Sequence, residues 1–96
     1  MSYQTIFLSI FRYIHWYSKL PRINVYIVCY NNEVIEEVER TLSQFGRIVE
    51  KNVSRIVPQF YYYRLETSNK EDVEKALKNY LEKELISWYK IEETFG

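Results

Sequence analysis

Two amphipathic segments, each set between short runs of branched and aromatic residues, constrain the fold of this chain more than any other feature. In the first, Val34, Ile35, Val38, Leu42 and Phe45 recur at three- and four-residue intervals, the period of one helix face. Asn32 is placed to cap it, and Glu33, Glu36 and Glu37 suit the positive end of its dipole. Gly46 stands where a helix ends in a left-handed residue. In the second, Ser68 and Glu71 form a capping box ahead of Val73, Ala76, Leu77, Tyr80 and Leu81. The flanking runs are too short for independent helices and read as strands. They cover 23–30, 47–57 up to Pro58, 59–67 and 85–93.

Ahead of these, Tyr3, Ile6, Phe7, Ile10, Ile14 and Tyr17 repeat at helical spacing, which predicts an N-terminal amphipathic helix ended by Pro21. Arg12, His15 and Lys19 interrupt it, so it does not qualify as a membrane span. It also lacks the pattern of a secretory signal. The organisation expected is therefore a helix over 1–21 followed by one domain over 22–96. A single cysteine, Cys29, has no partner for an internal disulfide, which fits a reducing, cytoplasmic setting. The balance of Phe, Tyr, Ile, Asn and Lys over Gly, Ala, Arg and Pro follows A/T-rich codons, as in small viral or archaeal genomes.

The order strand, helix, strand, strand, helix, strand is the α+β ferredoxin-like pattern βαββαβ, an antiparallel four-stranded sheet with both helices on one face. Such a sheet leaves its other face open. Alternation along each strand then decides which side chains stand there. Val25, Ile27 and Cys29 form the more apolar set of the first strand, and Tyr61, Tyr63 and Leu65 that of the third. The open face is expected to hold Tyr26, Tyr30, Phe60, Tyr62, Arg64, Trp88 and Lys90, with Ser87, Tyr89 and Ile91 turned inward. Aromatics among cations form a platform on which bases stack. Lysine plus arginine (13) equals aspartate plus glutamate (13), so attraction for phosphate has to be local. The candidates are Arg47, Lys51 and Arg55, which share one parity of an uninterrupted second strand.

The stretch Leu42-Ser-Gln-Phe45-Gly46-Arg-Ile48, then Phe60-Tyr-Tyr62-Tyr-Arg-Leu65, then Glu71-Asp-Val-Glu-Lys-Ala-Leu77 resembles the RNA recognition motif over about residues 23–93. In that family one aromatic on the first strand and two on the third stack on bases. The resemblance implies these roles for Tyr26, Phe60 and Tyr62. The chain departs from the family where Pro58 and Gln59 replace the basic residue and glycine ahead of the aromatics. It also lacks the long basic loop between strands two and three.

Catalytic chemistry finds little support. The lone histidine, His15, has no Asp or Glu among the first 32 residues, and Gly46 and Gly96 cannot form a phosphate-cradling loop. Small CRISPR-associated nucleases of the same fold carry an acid at the end of the first strand, where this chain has Asn31 and Asn32. The expectation is a non-enzymatic module without metal, cofactor or small-molecule substrate, binding single-stranded RNA or DNA. The alternative is a homodimeric interaction or assembly subunit that uses the same aromatic face and the N-terminal helix.

Overall fold

A computed structural model describes residues 21–94. The helix expected over 1–21 lies outside the described residues apart from Pro21. The elements run β1 (Arg22–Val28), α1 (Asn32–Phe45), β2 (Arg47–Val53), β3 (Phe60–Glu66), α2 (Lys70–Glu82) and β4 (Trp88–Thr94). The strands form one sheet in the order β2-β3-β1-β4, with every neighbouring pair antiparallel. Each helix therefore joins two parallel strands by crossing over the one between them, which is the ferredoxin-like topology.

One core lies between the helices and one sheet face. Ile23, Val25 and Ile27 of β1 and Tyr61, Tyr63 and Leu65 of β3 meet Ile35, Val38 and Leu42 of α1 and Val73, Leu77 and Tyr80 of α2. Thr41 and Tyr80 hydroxyls, 3.0 Å apart, tie the helices to each other. Cys29 is buried, its thiol donating to the Asn31 carbonyl at 3.3 Å. Ile86 closes the core from the loop before β4, whereas Ser87 is exposed and not inward on a strand.

Local chemistry differs from the sequence signals at both helix starts and at the end of α1. Asn31, not Asn32, caps α1, its Oδ1 accepting from the amides of Glu33 and Val34 at 2.8 and 3.2 Å. Ser68 and Glu71 form no capping box. Asn69 holds the cap position without a side-chain bond, and Thr67 Oγ1 accepts from its amide while donating to the Phe45 carbonyl. Gly46 is extended (φ −177°) rather than left-handed. A Cβ there would stand 2.7 Å from Thr67 Cβ and closer still to the Glu66 carbonyl oxygen, so close approach is what demands glycine. The left-handed residue is Glu84 (φ 61°), after α2, where the Leu85 amide reaches back to the Tyr80 carbonyl at 2.9 Å.

Candidate nucleic-acid interface

The face opposite the helices is built as four cross-strand rows. At one end Phe60, Val28 and Trp88 stand side by side, followed by Tyr62, Tyr26 and Lys90, then Arg64, Asn24 and Glu92, and finally Glu66, Arg22 and Thr94. Asn52, Glu50 and Arg47 of β2 extend the last three rows. Row spacing is two residues along a strand, about 7 Å. The surface thus grades from aromatic to ionic over the length of the sheet.

At the aromatic end, the Tyr26 ring lies 5.3 Å from Tyr62 and 6.1 Å from Phe60, and Phe60 lies 6.3 Å from Trp88. The last two pairs are stacked, with interplanar angles of 21° and 26°. Trp88 remains 43% exposed, and the other three rings are partly exposed. Polar tips anchor two of them. Tyr62 donates to Asn24 Oδ1 at 2.9 Å, and Tyr26 donates to Glu92 Oε1 at 3.2 Å. Burial first and the Glu92 carboxylate second push the Tyr26 hydroxyl above its ordinary pKa, so it stays a donor at neutral pH. Lys90, 3.3 Å from Glu92, and the Tyr26 hydroxyl hold that carboxyl below its usual range.

The cations of this face are paired. Arg64 sits 3.7 Å from Glu50 and also reaches Asn24 Oδ1. Glu66 is clamped between Arg47, at 3.0 Å, and Arg22, at 2.9 Å. These bonds, Arg47's first, lower its pKa.

The stripe expected of Arg47, Lys51 and Arg55 does not form. A register shift between Ile48 and Glu50 reverses the alternation of β2, so Arg47 lies with Glu66 on the open face while Lys51 stands opposite Tyr63 and binds Glu39 of α1 at 2.9 Å. The strand ends at Val53, leaving Arg55 exposed in the loop to β3. Ser54 Oγ folds that loop by accepting from the amides of Ile56 and Val57. Tyr30 lies beyond β1, 70% exposed, at the aromatic end of the sheet rather than within the stack.

Two participants lie beyond the candidates that the sequence names. Asn24 and Glu92 orient the tyrosines and cations, and their parity on β1 and β4 was the available signal. Ile56, 90% exposed in the β2–β3 loop, lies where simple strand alternation to residue 57 does not predict a loop. Among the described residues, no three His, Cys, Asp or Glu side chains gather where a metal ion would sit, and no helix is long and apolar enough to cross a membrane. Comparison with protein-family models, curated proteins and solved structures gives no match.

Proposed function

We propose that the open sheet face binds single-stranded RNA or DNA, in the manner of an RNA recognition motif domain. One observation carries this reading: Tyr26, Phe60, Tyr62 and Trp88 form a continuous, partly exposed aromatic platform on the face without helices. Every base offers a π-face, so such a platform favours stacking with little sequence selectivity. Arg64 and Lys90 flank the rings and exchange their carboxylate partners for phosphate. With the basic residues of β2 split between two faces, stacking outweighs charge and the salt dependence is shallow.

Titration of labelled single-stranded RNA and DNA oligonucleotides at two salt concentrations tests the reading. Tyr62→Ala or Trp88→Ala is expected to weaken binding by about 1 to 3 kcal/mol. Arg64→Ala or Lys90→Ala changes chiefly the salt slope. Absence of binding at low salt sinks the proposal.

A second reading is favoured by the mutual neutralisation of the charges on this face, which suits a protein surface better than a polyanion. In it the aromatic platform, with residues 1–20, forms a homodimer interface. Light scattering of the full chain separates the two: a dimer dissolved by Phe60→Ala supports the second reading, and oligonucleotide binding by a chain whose mass Phe60→Ala leaves unchanged supports the first.

A further inference from the structure

The two edges of the sheet differ in kind. β2 carries a register shift and turns Lys51 and Arg47 to opposite faces, features that disfavour pairing with another strand. β4 runs in unbroken register with β1 over all seven residues, and among the described residues its outer side pairs with nothing.

Which backbone groups of β4 point outward follows from β1. The Thr67 amide donates to the Pro21 carbonyl and the Cys29 amide to the Gln59 carbonyl, so the odd-numbered residues of β1 bond to β3 and the even-numbered ones to β4. Through the β1–β4 register, Trp88, Lys90, Glu92 and Thr94 use their backbone groups on β1. Those of Tyr89, Ile91 and Glu93 face out.

We propose that this edge pairs with a second copy of the chain, antiparallel, about a two-fold axis at Ile91. The side-chain sequence selects that axis. Centred on Ile91, the outward backbone groups of Tyr89, Ile91 and Glu93 meet those of Glu93, Ile91 and Tyr89, and all seven residues find a partner. Lys90 then stands opposite Glu92 and Glu92 opposite Lys90, in the non-hydrogen-bonded pairs where side chains approach most closely. An axis at Lys90 or Glu92 sets like charges directly opposite each other, in the non-hydrogen-bonded pair where side chains approach most closely. An axis at Glu93 opposes two glutamates. The pairing joins two four-stranded sheets edge to edge and leaves both aromatic faces uncovered, so it is independent of the nucleic-acid reading and distinct from a dimer closed over the rings.

Sedimentation velocity of the full chain over a wide concentration series tests it. The native chain is expected to self-associate, and Lys90→Glu or Glu92→Lys to weaken association about ten-fold by opposing like charges twice in each dimer. An equimolar mixture of the two variants recovers a heterodimer, since the two acidic positions of one edge then face the two basic positions of the other, and the double variant recovers the homodimer. Recovery also shows that both variants are folded. A native chain that stays monomeric throughout overturns the proposal. So does a dimer indifferent to both charge changes, or one dissolved by Phe60→Ala, whose ring stands on β3 outside the seam.

Discussion

The run Phe60-Tyr61-Tyr62-Tyr63 places chemically similar rings on two faces of one strand, and the two faces treat them in opposite ways. Tyr63 is fully buried against the helices, and its hydroxyl donates to Glu39 Oε2 at 2.7 Å, with Lys51 holding the same carboxylate at 2.9 Å. Burial, reinforced by Glu39, holds that hydroxyl protonated far above its ordinary pKa. Tyr62, one residue earlier, keeps its ring at the surface and spends its hydroxyl on Asn24. Residue type says little here. Strand phase decides, and a tyrosine assigned to the core has to bring a polar partner with it.

Removing each ring separates the two faces most sharply. Tyr63→Ala opens a large cavity in a closed core and removes one of the two donors to Glu39, and is expected to cost about 3 to 5 kcal/mol of folding stability. Tyr62→Ala removes a partly exposed ring and its bond to Asn24, and is expected to cost about 1 kcal/mol, well short of the loss for Tyr63→Ala. Chemical denaturation of both variants checks the pair. Similar losses would show that the open face is packed against something, a second copy or residues 1–20, in the free protein.

A finer comparison deletes only the hydroxyls. Tyr63→Phe removes a donor from the carboxylate that Lys51 also holds and costs about 1.5 to 3 kcal/mol, the range for bonds to charged groups. Tyr62→Phe breaks a neutral bond at the surface, where water takes over as a partner for Asn24, and costs about 0.5 to 1 kcal/mol. Binding of an oligonucleotide should survive Tyr62→Phe, because stacking uses the ring.

Much of this is legible in the sequence, for reasons that can be named. Element order and the identity of the inward residues on β1 and β3 follow from alternation, because one face of a covered sheet has to be apolar. The same rule puts the rings of Tyr26, Phe60, Tyr62 and Trp88 on the open face. What sequence misses depends on tertiary contact. The register shift in β2 arises from its pairing with β3, and no residue of Arg47-Ile-Val-Glu50 announces it, so simple alternation puts Lys51 on the wrong side. Gly46 reads as a left-handed cap, but its constraint comes from the backbone of Glu66, distant in sequence. The left-handed position after α2 is filled by Glu84, which composition gives no reason to suspect.

The ionic end of the open face offers the smallest and most specific test. Glu66 accepts from Arg47 and Arg22, and these bonds lower its pKa in the folded chain. A carboxyl with a depressed folded pKa contributes stability that is present above its unfolded pKa. The contribution is lost as pH falls through the folded value, where the native state must also take up the proton. Both arginines are substantially exposed, with Arg47 the more so, and solvent screens each pair, so the contribution is a few tenths to about 1 kcal/mol. Glu66→Gln should therefore lower stability slightly at neutral pH, and the gap between variant and native chain should close as the solution is acidified below the ordinary carboxylate range. Denaturation midpoints measured across that range at low salt check the sign. Added salt should narrow the neutral-pH gap for Glu66→Gln and leave the cost of Tyr63→Ala unchanged, since one rests on exposed ion pairs and the other on a packed ring. A gap that persists in acid would mean that Glu66 supports this end of the sheet through its packing and not through its charge.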